Sequence, residues 1–245
     1  MKAYIQTDKS GNYFNVSAYV ANEGFQTLGW ETETFFSIED ITDTEPEHLI
    51  VGGIGNVRKR LEKLGFKSPL NQTDYPKKLE KYLCRKIWVS TTEDIFENEN
   101  LWNIFIKPKN DTKKFAGKVV KEYKDFIGIV DKDNPTQVWC SEIVEFKTEW
   151  RCFIRYGEIL DIRQYKGAWD SKLDLTVIKN AIVDFTNAPS AYALDFGIDD
   201  NNKMRLVEFN DGHSLGTYGI NSTNYAKFLS ARWAQLTNTT DYANF

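Results

Sequence analysis

Cysteine is scarce in this chain. Its 245 residues hold three, Cys84, Cys140 and Cys152, with no CxxC spacing. An odd, scattered set excludes a disulfide framework and a zinc knuckle, and predicts a reducing, cytosolic setting. Cys140 and Cys152 lie in apolar, strand-like runs and are expected in the core. No apolar run approaches the ~20 residues that cross a bilayer. The opening MKAYIQTDKSGNYF has no signal-peptide apolar region. No membrane association is expected. Excess positive charge is missing too. A net charge of −4 gives no electrostatic case for nucleic acid. GxSxG, HExxH and Cys–His pairings are absent, so nucleophilic hydrolysis and zinc proteolysis have no support. Of the two histidines, His48 reads as structural, and His213 is a loop residue of a kind more often structural than catalytic.

What is present builds a folded core. Hydrophobic residues make up 41% and aromatics 14%, which excludes disorder and allows one large domain or two small ones. Residues 1–85 read as a small α/β unit. Lys2–Thr7 is a strand, Ser10–Asn15 a turn, and Glu47–Val51 a buried strand running into Gly52-Gly53-Ile54-Gly55. Asn56 is placed to cap a helix over Val57–Leu64, ended by Gly65. The glycine-rich turn lacks the dinucleotide fingerprint, so a tight strand–helix connection is its expected use. Periodicity leaves Ser17–Glu23 and Gln26–Trp30 ambiguous. Tyr75–Leu83 reads as a basic helix. Strands follow at Ile87–Val89, Trp102–Lys107, Phe115–Val120, Gln137–Glu145, Trp150–Ile154 and Ile159–Gln164. Ser171–Thr186 and Asn224–Leu236 read as helices, the latter with Tyr225, Phe228, Leu229 and Trp233 along one stripe.

The most informative stretch is Tyr192–Asn210, YALDFGIDDNNKMRLVEFN. Two apolar strands flank a polar turn, yet Asp195 interrupts the first and Glu208 and Asn210 end the second. Glu208 and Asn210 share a face by alternation. With the turn on Asp199–Asn202 and Ile198 opposite Lys203, Asp195 falls opposite Leu206, diagonal to Glu208 at ~7–8 Å. A one-residue slip would send Asp195 to the other face. Two carboxylates on one face repel unless a cation lies between them. Removing one charge from the empty site should then be neutral or stabilising. The oxygen-only set suits Mg²⁺, completed by phosphate oxygens.

Other candidates lie earlier. Lys107 ends an apolar strand in FIKP, placed to meet a phosphate as a point charge. The loop Asn110–Gly117 carries Lys113 and Lys114, suited either to covering a polyphosphate or to plain solvation. The strand end Glu142-Ile143-Val144-Glu145 offers backbone hydrogen-bonding edges beside apolar walls, as an adenine requires. Glu149 is placed to take ribose hydroxyls. Arg151, on the same face, could clamp a phosphate or form an ordinary Arg–Glu pair.

In order, FIKP, a basic Gly-containing loop, SEIVEF, EWRCFI, LDFGID and VEFN resemble the ATP-grasp superfamily, specifically its short phage and bacterial R2K clade. The resemblance covers roughly Ile87–Phe245. It implies an α+β fold in which two subdomains over 86–245 grip ATP, preceded by a small α/β domain over 1–85. It implies a carboxylate activated as an acyl phosphate and attacked by an amine, with ATP and Mg²⁺ as cofactors. The substrates would be small molecules or peptides. Carried over by position, Lys107 and Lys118 resemble phosphate-binding lysines. Glu142, Val144 and Glu145 resemble the adenine hinge, Glu149 the ribose acid, Arg151 a phosphate contact, and Asp195, Glu208 and Asn210 the metal ligands. The family's usual arginine before the metal-binding strand is replaced by Ala191-Tyr192. Arg151, Arg163 or Lys166 would then supply that charge, and Lys107, Arg151 and Arg163 are the catalytic candidates. An ATP-binding module without ligation and a phosphotransferase on the same scaffold are the alternatives, and a non-enzymatic interaction protein is a further one.

Overall fold

A computed structural model describes residues 1–69, 74–109, 114–131 and 133–245. Residues 110–113, part of the basic loop, lie outside the described set.

The first unit is a three-stranded parallel sheet. β1 (Lys2–Gln6) is followed by α1 (Val16–Thr27), β2 (Glu31–Phe35), β3 (Leu49–Val51) and α2 (Ile54–Lys63), with strand order β2-β1-β3. Of the two ambiguous segments, Ser17–Glu23 lies within α1, whereas Gln26–Trp30 holds its last two residues and the turn that ends it, with Leu28 as C-cap and Gly29 at φ +78°. Asn15 caps the helix through a 2.9 Å bond from the Ala18 N–H. Ala18, Ala21, Gly24 and Phe25 form its buried stripe. A Cβ on Gly24 would stand 2.0 Å from the Ser222 carbonyl oxygen, so the glycine permits close approach of the last helix. α2 starts earlier than the sequence predicts. Gly53 is the N-cap, and Asn56 lies inside the helix. The Gly65 stop is as expected, with φ +81°.

A 3₁₀ turn, Lys77–Leu79, and the single turn α3 (Glu80–Leu83) replace the expected helix over Tyr75–Leu83. β4 (Ile87–Thr91), α4 (Thr92–Glu97), β5 (Ile104–Pro108), β6 (Lys118–Val120) and β7 (Gln137–Ser141) follow. They form an antiparallel sheet of order β4-β7-β5-β6 over a core that includes Ile95, Ile106, Val138 and Cys140. β7 stops at Ser141, so Glu142–Glu145 is a connection between two sheets, not strand.

The third unit contains β8 (Phe146–Arg155), β9 (Glu158–Lys166), α5 (Leu175–Asp184), β10 (Ala191–Asp199), β11 (Met204–Asp211) and α6 (Ser222–Thr237). Its sheet has order β11-β10-β8-β9 and is antiparallel throughout. One face, with Cys152, Ile154, Leu194, Phe196, Leu206 and Phe209, packs with α5 and with Leu79 and Leu83. The other carries Phe153, Ala191 and Ala193 into a core shared by α6 and the whole first unit. Tyr225, Phe228, Leu229 and Trp233 of α6 are buried there. The face that carries this core continues along β10 and β8 into Asp195 and Arg151. Among the described residues no helix is long and apolar enough to cross a membrane.

Candidate functional site

The hairpin register departs from expectation, and a bulge restores the site. Asp199 Oδ1 accepts the N–H groups of Asn201 and Lys203, at 2.9 and 2.8 Å, and Asn202 takes φ +58°. The loop is thereby one residue longer than predicted, and Ile198 pairs with Met204. This slip alone would move Asp195 opposite Val207. The register shifts between Asp195 and Phe196, however, and Asp195 pairs directly with Glu208. Val207 is the extra residue. Arg85 donates to the Leu206 and Val207 carbonyls, at 2.7 and 2.8 Å, and satisfies the backbone there.

Asp195, Glu208 and Asn210 consequently converge. The Asn210 Nδ2 donates to Glu208 Oε1 at 3.2 Å and lies 3.4 Å from Asp195 Oδ2. The two carboxylates do not face each other uncompensated. Arg151 donates to Asp195 twice, from Nε at 2.8 Å and from Nη2 at 2.7 Å. Lys107 reaches from the other sheet to Glu208 at 2.7 Å and to Asp74 at 2.9 Å. The cation required between the carboxylates is thus supplied by side chains, one to each acid.

Protonation follows this pairing. Burial pushes the Asp195 carboxyl up, to about 6, against the pull of Arg151. Burial also works upward on Glu208, but Lys107 and Asn210 overcome it and hold the acid below its usual range. Burial works to lower the Lys107 pKa, while its anionic neighbours, led by Glu208, raise it further, so the ammonium keeps its charge.

Glu149 lies on the same face as Arg151. It accepts the Tyr165 hydroxyl and the Lys166 ammonium, both at 2.8 Å. The Arg151 guanidinium sits 4.2 Å from the Tyr218 ring centroid. Glu142–Glu145 crosses between the sheets with Glu142 and Glu145 exposed. Glu142 ties this crossing to the start of β4 through Lys86, its carboxylate accepting the Lys86 N–H at 3.0 Å. Among the described residues no backbone hydrogen bond engages Val144.

Three predicted residues are placed elsewhere. Lys118 pairs with the buried Ile106, on the core side of its sheet, and its ammonium donates to the Asp125 carbonyl. Arg163 turns to Asp161 on its own strand, at 2.6 Å. Lys114 donates to Thr136 at 3.1 Å. Sequence reasoning missed Asp74 and Arg85. Both precede the strands they serve, and nothing in local pattern marks them. Asp74 also accepts the Phe209 N–H at 2.9 Å, extending the β11 edge.

Two sheets gripping a cleft, with an acidic hairpin on one and a strand lysine on the other, define an ATP-grasp fold. The profile of the ATP-grasp domain, R2K clade family 2, matches residues 82–228, more than half of the chain, and the protein belongs to that family. Solved structures agree in fold. D-alanine–D-alanine ligase from Bacillus anthracis superposes with TM-score 0.62 at 15% identity, covering 97% of this chain and 98% of that one. The ADP complex of N5-carboxyaminoimidazole synthetase from Staphylococcus aureus gives 0.58 at 11%, covering 98% and 78%. The macrocyclase MdnC from Microcystis aeruginosa, bound to precursor peptide MdnA, gives 0.53 at 13%, covering 94% and 99%. At these identities the likeness is one of fold. No curated protein matches in sequence.

Proposed function

We propose that this protein is an ATP- and Mg²⁺-dependent ligase that activates a carboxylate as an acyl phosphate and joins it to an amine. The observation that carries the proposal is the converged Asp195–Glu208–Asn210 face, held between Arg151 and Lys107 at the cleft. Membership of an ATP-grasp family and the ligases among its structural neighbours support it. Those neighbours include one bound to a precursor peptide, in keeping with a small-molecule or peptide substrate.

The donor chemistry fits a hard cation. Two carboxylates and an amide oxygen, all on one face, are ligands of the type Mg²⁺ takes, with phosphate oxygens completing its shell. Among the described residues no group of three or more His, Cys, Asp or Glu is arranged to hold a metal ion. Bound there, Mg²⁺ would neutralise phosphate charge and favour phosphoryl transfer.

The chain's own groups would do the rest. The backbone N–H and C=O of Val144 meet the adenine edge, and Glu149 takes ribose hydroxyls. Lys107 exchanges Glu208 for a phosphate oxygen. Arg151, stacked on Tyr218 and gripped by Asp195, holds a fixed positive charge beside the transferring group. The acid's carboxylate oxygen attacks the γ-phosphorus, and ADP leaves. The amine nitrogen then attacks the carbonyl carbon, and phosphate leaves. Closure between the sheets excludes the water that would hydrolyse the acyl phosphate.

Thermal melts with and without Mg-ATP test nucleotide binding. Saturation at ~100 times the dissociation constant should add about 2.7 kcal/mol. ADP release that requires both an acid and an amine, with the amide found by mass spectrometry, tests the ligation. A stable phosphorylated product would favour a phosphotransferase instead, and Mg-ATP binding without any ADP would favour a binding module.

A further inference from the structure

The Gly52–Gly55 turn has no part in nucleotide recognition as described above. It opens onto a cavity of about 800 Å³ whose lining also includes Arg151, Glu208 and Asn210. Lys107, Val144 and Glu149 are not in that lining, so the cavity lies beside the nucleotide cleft and meets it at the acidic face.

One end of this cavity is built for an anion. The ten-residue helix α2 begins there with no side-chain cap. Gln6 Oε1 takes the Gly53 N–H at 2.7 Å, while the N–H groups of Ile54 and Gly55 have no partner among the described residues. Oriented amides and the positive helix end favour negative charge. Arg58, one turn further along α2, lines the same cavity. So does His213, from the loop after β11. Its side chain is only 6% exposed, and its Nε2 has no hydrogen-bond partner among the described residues. A buried ring nitrogen without a partner is uncommon, and a ligand oxygen would supply one.

The parts are held in register. Ser214 Oγ donates to the Gly52 carbonyl at 2.8 Å, tying the His213 loop to the turn. A Cβ on Gly52 would stand 2.5 Å from Gln6 Oε1, so the close approach requires glycine. Carboxylates of Asp74, Glu208 and Asp211 also line the cavity, but each is paired: Asp211 with Arg232 and with His213 Nδ1 at 2.8 Å, and Asp74 and Glu208 with one shared lysine. Arg232 holds Asp211 through two 2.7 Å bonds, and Lys107 holds the other two.

We infer that the acid substrate carries two anionic groups. Its reacting carboxylate faces Glu208 and Asn210, and a second carboxylate or a phosphate sits on the Ile54 and Gly55 amides, Arg58 and His213. The first placement rests on the ligase reading, whereas the anion subsite does not depend on it.

The test is NMR of the full chain with labelled histidine rings, titrated separately with inorganic phosphate and with succinate. The expected result is a saturable shift of the His213 signals while His48 stays unmoved. A response to phosphate alone would identify a phosphorylated acid, and a response to succinate a dicarboxylic one. Arg58→Gln should weaken the response roughly tenfold, the loss of about one charge-assisted hydrogen bond, and Arg58→Lys should restore most of it. A silent His213 in wild-type protein with both anions overturns the subsite, as does an undiminished response in folded Arg58→Gln. Mg-ATP melts on the same samples keep the two readings apart. Their failure removes the ligase proposal, while the His213 signals alone decide the subsite.

Discussion

Lys107 of β5 and Glu208 of β11 stand 101 residues apart in sequence and 2.7 Å apart in space. Their ion pair joins the two sheets that form the cleft. It also places the lysine proposed for phosphate and the carboxylate proposed for metal in each other's charge. Nucleotide and ion would have to arrive together, each replacing the partner that the other's ligand loses.

Lys107→Met tests that exchange. The side chain keeps its length and loses its charge, leaving Glu208 and Asp74 without their cation. The protein without nucleotide should lose about 1–3 kcal/mol. The larger effect should be loss of the Mg-ATP-induced rise in melting temperature. If Mg-ATP stabilised the variant as well as wild type, Lys107 would not be a phosphate ligand.

Glu208→Gln separates pairing from repulsion. On sequence alone, relief of the Asp195–Glu208 repulsion predicts a neutral or stabilising change. The structure reverses the sign, because Glu208 is paired with Lys107 and Asn210. The variant should lose about 1–2 kcal/mol without ligand and should also lose its Mg²⁺-dependent response to ATP. Chemical denaturation in the absence of nucleotide checks the first part. A more stable variant would mean that repulsion dominates after all.

Asp211 gives a pH signature. Burial pushes its carboxyl up, but Arg232 and His213 dominate and hold it at about 2, below its ordinary 3.8. A depressed acid stabilises the fold above its unfolded pKa, and that stability fades as pH falls through the folded one. Asp211→Asn should cost about 2–4 kcal/mol at neutral pH. The gap from wild type should narrow between about pH 4 and pH 2. A gap independent of pH would show that the carboxylate's charge is not what stabilises.

Gly24→Ala probes the seam between the first unit and the last helix. The new Cβ would meet the Ser222 carbonyl at 2.0 Å, and backbone cannot move aside as a flexible side chain can. Overpacking of this kind costs about 1–3 kcal/mol or more. Because α1 and α6 share one core, one cooperative melting transition should move downward as a whole. A separate low-temperature transition confined to the first unit would show that the seam is weak.

Local chemistry was legible in the chain. Alternation put Glu208 and Asn210 on one face, the apolar run before Lys107 made it a strand end, and the stripe along Asn224–Leu236 marked a buried helix. These follow from spacing, which the chain carries wherever it folds. Which side chains meet depended on the packed fold. The longer Asp199 loop would have sent Asp195 to the wrong face, and the Val207 bulge, with Arg85 on its carbonyls, brought it back. Register depends on backbone hydrogen bonds that a distant arginine completes, and no window of sequence contains both. The same holds for the ion pairs. Arg151 could have found Glu149, two residues away on its own face, but strand pairing set it against Asp195, and Lys107 found Glu208 only because two sheets close on one cleft. Pairing across such distances is fixed by the packing of whole elements, which makes the charge state of this site a property of the fold.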